Sequence, residues 1–326
     1  ELNQKNVDGV YLKQLPYLGL VGSNSPLFLV NGNHEQASGA NLDGTPDNVA
    51  VWAQNSKNKY FPLPKPDGFF TGDEEKIKHI GLLGDYYSWT WGDALFVVID
   101  PYWHSKVAVD NPLRNETGKT RDLWEVTLGD AQYKWLKTTL ENSHSKFKFV
   151  FAHHVLGTGR GGIERAPYFE WGGKSQRMDW EFDKKRPGWE LPVHQLMVKN
   201  HVTIFFQGHD HLFAHEALDG VTYQEVPMPS DSTYQIGMLA NAGAYTSDTI
   251  EGTGHLRVTV SPNCVSVDFV RSYLPADTLS GLHHDGEVAF SYTVGNCATG
   301  INEATANNNE VKVFPNPASN YLMVRT

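Results

Sequence analysis

Short, mainly apolar runs that each end in a polar, histidine-bearing turn constrain this chain more than any other feature. Pro26-Leu27-Phe28-Leu29-Val30 leads into Asn31-Gly32-Asn33-His34-Glu35. Residues 147–152 lead into His153-His154, and residues 202–206 into Gly208-His209-Asp210-His211. Such runs suit strands buried on both faces of a sheet. Ala94-Leu95-Phe96-Val97-Val98-Ile99 is another, and residues 86–91 form a weakly alternating strand before it. Residues 128–141 read as a helix, because Leu128, Gln132, Trp135, Leu136 and Leu140 share a face and Asp130 sits in the first turn. A second helix is predicted over 191–199. Strand, loop, helix, strand, loop is the order of an open α/β sheet, which carries its chemistry just beyond the strand ends. Residues 43–85 are rich in Pro, Gly and Asn and read mostly as loop. Beyond 220 the strands 221–223, 255–260 and 265–272 succeed one another without helices, as in an antiparallel sheet.

The balance of 40% apolar to 20% charged residues is that of a packed globular chain, not a disordered one. A formal net charge of −10 argues against a nucleic-acid backbone or an anionic membrane as the main partner. A phosphate-bearing small molecule stays open, since bound cations invert the local field. No apolar run reaches the roughly 18 residues that a membrane-spanning helix needs, so membrane insertion is not expected. The two cysteines, Cys264 and Cys297, either form one disulfide or remain thiols.

The three histidine turns together have the donors of a metal site. His209 and His211 lie two apart, so they can face one side of an extended segment or, on a tight loop, reach two ions about 3.5–4 Å apart. Imidazole suits Fe, Zn and Mn, and the lack of cysteine donors points away from a closed structural zinc site. Asn33 offers an amide oxygen, and His34 beside it is placed to protonate a leaving group or bond a phosphoryl oxygen. His153 and His154 are alternatives as ligand. Asp100, at a strand end, is a weaker candidate.

In the order and content of these motifs the chain resembles the calcineurin-like metallophosphoesterases, purple acid phosphatase-like branch, over about residues 20–275. Gly32-Asn33-His34-Glu35 matches the family's Gly-Asn-His-Asp/Glu motif, His153 its histidine after a buried strand, and Gly208-His209-Asp210-His211 its Gly-His-x-His. The segment from Trp89 to Asp100 and Gln132-Tyr133-Lys134-Trp135-Leu136 are also similar to family text. The resemblance implies an α/β fold with a two-sheet β-sandwich flanked by helices, and an enzyme that hydrolyses phosphate esters through a hydroxide on a dinuclear metal centre. It implies that Asn33, His153 and His209 bind one ion and His211 the other, the two being Fe, Zn or Mn. It makes His34 the catalytic histidine and leaves His154 to face the substrate. Arg160 is the arginine nearest the ligand strand and a candidate phosphate clamp. The other arginines of the stretch 156–192 are read as solvated or paired.

The family also needs an Asp-x-His and a Gly-Asp-x-x-Asp/Tyr motif ahead of Gly-Asn-His, and neither occurs here. The expectation is a domain over 1–297 that lacks its first metal motifs at the N-terminus and does not turn over as given. The alternative is a surface-exposed binding module that keeps the fold without catalysis. Residues 298–310 read as a linker. Over 311–326, Phe314-Pro315-Asn316-Pro317-Ala318 followed by Asn320-Tyr321-Leu322 resembles the opening of a type IX secretion sorting domain. That implies the type IX machinery as a partner, a secreted or cell-surface location, and a Cys264–Cys297 disulfide. A second strand is expected about where the sequence stops.

Overall fold

The computed structural model describes residues 3–35, 37–107, 109, 122–155, 160–239, 241–297, 312–314 and 323–325. Helices α1 (Gln4–Gly22) and α2 (Val49–Tyr60) are followed by β1 (Thr71–Gly72), a hairpin of β2 (Lys76–Ile77) and β3 (Gly81–Leu82), and strands β4 (Tyr87–Trp91) and β5 (Ala94–Val98). Helix α3 (Gly129–Asn142) leads to β6 (Phe147–Phe151). Helices α4 (Phe169–Gly172), α5 (Phe182–Lys185) and α6 (Val193–Lys199) lead to β7 (Ile204–Gln207). After β8 (Phe213–Leu218), β9 (Val221–Glu225) and β10 (Asp248–Ile250) come β11 (Gly254–Ser261), β12 (Cys264–Arg271) and β13 (Val288–Gly295).

Eight strands form one mixed sheet in the order β1-β4-β5-β6-β7-β9-β8-β10, with β5, β6, β7 and β9 mutually parallel. Alternation along the central strands assigns the two faces. Val97, Val150 and Phe205 pack against Leu136 and Leu140 of α3 and Leu196 and Met197 of α6. Phe147, Phe149, Ile204 and Phe206 face Val265 and Val267 of β12, so the sheet β11-β12-β13 covers the opposite face. This is a mixed α/β architecture with two stacked sheets and flanking helices. Cys264 opens β12 and is joined by a disulfide to Cys297.

Two expectations need correction. Residues 26–30 pair with no strand among the described residues. Side chains hold them instead: Phe28 stacks on Trp89 with centroids 4.1 Å apart, and the Tyr87 hydroxyl donates to the Leu29 carbonyl. Leu27 and Phe28 border an apolar cavity of about 780 Å3, shared with Leu256, Val258 and Val260 of β11, rather than a neighbouring strand. The second correction is α2, which lies inside the stretch read as loop. Asn48 caps it by accepting from the Ala50 N–H. Its buried face carries Gln54, Ser56 and Lys57 beside Ala50, Val51 and Ala53, so no strong apolar period announces it. The polar partners of that face are tertiary: Gln4 and Asp8 of α1 bond Ser56, and Asp85 bonds Gln54 and Lys57.

In the tail, Lys312–Phe314 pairs antiparallel with Met323–Arg325, which supplies the second strand. The linker 298–310 and Pro315-Asn316-Pro317-Ala318 lie outside the described residues.

Candidate functional site

The parallel register of β6 and β7 sets Phe151 opposite Phe206, so the turns that leave both strands emerge side by side. The Gly208 N–H donates to the His153 carbonyl at 2.9 Å and ties the two turns together. His153 and His209 meet there, with Nε2 and Nδ1 3.1 Å apart and ring centroids at 5.0 Å. From the third turn, Asn33 Oδ1 lies 2.8 Å from His153 Nε2. Gly32 permits that approach, since a Cβ at this position would lie 3.1 Å from the His153 ring. Three motifs far apart in sequence therefore bring three neutral donor atoms together.

Asn33, His34 and Glu35 form a single 3-10 turn. A Glu35 carboxylate oxygen accepts the Gly32 N–H and braces the turn, and burial raises the pKa of that carboxyl. His34 is exposed on the same turn. A buried network fixes the entry to it. Asn31 donates to Asp100 at 2.5 Å, and Lys57 donates to Asn31 at 3.0 Å and to Asp85 at 2.5 Å. Asp100, two residues past the end of β5, also accepts the backbone N–H groups of Tyr102 and Trp103. Burial, then the charge of Asp85, pushes its carboxyl up to about 7. Asp100 thus positions a loop.

His154 is buried, with its ring centroid 5.2 Å from that of His209 and Nδ1 3.2 Å from the Val155 carbonyl oxygen. The His153 ring lies against Asn33, with Nε2 2.8 Å from Oδ1. His211 is half-buried in the left-handed region at φ 61°, and its Nδ1 is buried with no hydrogen-bond partner among the described residues. Arg160 donates to Asp210 Oδ1 at 2.8 Å and to the His209 carbonyl at 3.2 Å.

Burial, with the charges of the neighbouring histidines, pushes His153 down to about 3 and His209 down to about 2. His211 is lowered by burial and then by Arg160. All three are neutral at physiological pH and keep a lone pair for a ligand. The separations are close to those around one ion. Two donors each about 2.1 Å from a metal lie about 3.0 Å apart at right angles and about 3.4 Å apart in a tetrahedron, so the hydrogen-bond separations of 2.8 and 3.1 Å found here would have to widen slightly around an ion. Among the described residues no three His, Cys, Asp or Glu side chains converge in ligating geometry, so the set gathered here is one amide and two imidazoles. Asn33, His153 and His209 could hold one ion.

Among the remaining arginines of residues 156–192, Arg186 is structural. It pairs with the fully buried Glu170 at 2.5 Å and lies against the rings of Trp124 and Trp189. Sequence reading gave no role to Asp210, Glu225 or Tyr245, which lie beneath the histidine turn. No local signal marked them, because residues 208–212 are not a strand and the partners of Asp210 lie 15 to 50 residues away.

No family model matches the chain, and no curated protein matches it. Among solved structures it is similar to a purple acid phosphatase from yellow lupin (Lupinus luteus) seeds, with a TM-score of 0.44 and 16% identity over 83% of this chain and 41% of that one. It is also similar to PhoD, with a TM-score of 0.48 and 12% identity over 81% of this chain and 52% of that one. A third is the anchor protein of the Plasmodium inner membrane complex, with a TM-score of 0.35 and 15% identity over 65% of this chain and 54% of that one. The chain spans about half the length of the solved structures it matches.

Proposed function

We propose that the chain carries the histidine half of a metal-dependent phosphoesterase centre acting on phosphate esters. The observation that carries this reading is the convergence of Asn33 Oδ1, His153 Nε2 and His209 Nδ1 at 2.8 and 3.1 Å from three separate turns. These three residues would hold one ion and His211 would belong to a second, each being Fe, Zn or Mn. When bound, such ions supply a Lewis acid for the phosphoryl oxygens and lower the pKa of water toward neutrality. The residues do the rest. Arg160, anchored through Asp210, offers its free N–H groups to a phosphate, and buried His154 lines the same side. His34, exposed on its turn, is placed to give a proton to the leaving oxygen. Among the described residues no three His, Cys, Asp or Glu side chains converge, so one amide and two imidazoles are expected to bind metal without turnover.

Export through the type IX machinery to the cell surface or medium belongs to the same proposal. The Pro315-Asn316-Pro317-Ala318 motif supports it, and the Cys264–Cys297 disulfide fits an oxidising compartment. The second reading, a binding module without catalysis, is favoured by the lack of three converging His, Cys, Asp or Glu ligands among the described residues.

Equilibrium dialysis against zinc tests the metal reading. The chain should bind one ion, and His153→Ala or His209→Ala should weaken binding at least tenfold. Equal affinity in both variants would refute the assignment. Phosphate binding to the zinc-loaded chain, lost in Arg160→Met, would support the ester reading over the binding module.

A further inference from the structure

We propose that Asp210 is the positioning residue of this site: it fixes the turn that presents His209 and His211 and aims Arg160 beside them. The inference rests on the metal reading above and concerns a side chain that touches neither metal nor substrate.

Asp210 is 1% exposed, and every polar group it has is engaged. Its backbone N–H donates to Glu225 Oε1 at 2.8 Å. Its carbonyl accepts from the Tyr234 hydroxyl at 2.9 Å and from Asn241 Nδ2 at 2.5 Å. One carboxylate oxygen takes Arg160 at 2.8 Å. The other takes the Gly161 N–H at 2.9 Å and the Tyr245 hydroxyl at 2.6 Å. Tyr245 also bonds Glu225 Oε2 at 3.1 Å and accepts from Gln207 at 3.0 Å. The carboxylate thereby ties the histidine turn to residues 160–161 and to Tyr245, and through Tyr245 to Gln207 at the end of β7, while the Asp210 backbone adds the bonds to β9 and to Tyr234 and Asn241.

Such a turn needs tying. His211 sits at φ 61°, a conformation that an L-residue holds only where its surroundings over-determine it. A buried carboxylate is itself costly unless fully hydrogen-bonded and paired. A plain turn could be built without that expense. Placed between two imidazoles, with its charge directed at the arginine beside them, the carboxylate sets the direction of both rings and of Arg160 at once. Residues that orient metal ligands in this way typically change metal affinity 10- to 100-fold when replaced.

The test compares Asp210→Asn and Tyr245→Phe with the parent chain by zinc dialysis and, without metal, by long-range imidazole 15N NMR. Trp171→Phe, a cavity variant on the helix-covered face, serves as a control for general loss of stability. Expected are a 10- to 100-fold weaker zinc affinity in Asp210→Asn, a smaller loss in Tyr245→Phe and no change in the control. Shifted His209 and His211 resonances with His194 and His255 in place should accompany the loss. Zinc affinity within twofold of the parent and unmoved His209 and His211 signals in Asp210→Asn would overturn the proposal. Failure of the parent chain to bind zinc would instead refute the metal reading, and the metal-free spectra would still decide whether Asp210 positions the rings.

Discussion

Replacing Lys57 by methionine should unfold the entry to the Gly32-Asn33-His34 turn, with a cost that depends on pH. The Lys57 side chain is 4% exposed and its partner Asp85 1%, with Nζ and Oδ1 2.5 Å apart. The ammonium also donates to Asn31 and draws the Asp100 carboxyl down against burial and Asp85, which together leave it at about 7. Methionine fills much of the volume but leaves two buried carboxylates without their cation. Removing one partner of a buried pair costs roughly 3–5 kcal/mol. The sign of the pH dependence comes from Asp100. Its folded value lies above the ordinary carboxylate value, so the stability it contributes is intact below about pH 4 and is lost as pH rises through about 7. Without Lys57 that value climbs further, so the variant loses more at about pH 8 than at about pH 5. Urea unfolding followed by tryptophan fluorescence measures both. A loss under about 1 kcal/mol, or an equal loss at the two pH values, would refute the reasoning.

Arg186→Met should cost about 3–5 kcal/mol in urea unfolding, because it strands the fully buried Glu170, and Glu170→Gln in the same chain should recover part of it. Burial, with its neighbour Glu164, pushes the Glu216 carboxyl up to about 7, so its share of stability falls as pH rises through that value. Glu216→Gln should flatten the Tm-against-pH curve between about 4 and 8, and an unchanged slope would count against the assignment. Reducing the Cys264–Cys297 bond opens a loop of sequence separation 33. The chain-entropy relation predicts a loss of roughly 3–4 kcal/mol, measured by unfolding with and without reductant.

The places along the sequence of the central strands and of the three histidine turns were legible because both are local properties. Runs such as 147–152 and 202–206 are apolar enough to be buried on both faces, and the polar residues at their ends must turn out of the sheet. The observed strands Phe147–Phe151 and Ile204–Gln207 and helix Gly129–Asn142 lie within two residues of those expected. Residues 26–30 look alike in sequence, yet a strand also needs a neighbour to bond, and an apolar run does not say whether one is there. Helix α2 was illegible for the converse reason: Lys57 and Gln54 are buried by partners more than 25 residues away.

At the site, sequence alone determined which donors are available: one amide and the imidazoles of His34, His153, His154, His209 and His211, at the ends of apolar runs. Tertiary structure decided which of them meet. It set His153 against Asn33 and His209, and turned Arg160 onto Asp210. The physical reason is range. Apolar patterning acts between residues a few positions apart, whereas a ligand set or a buried ion pair is a distance between atoms that only the packed sheets and their turns can fix.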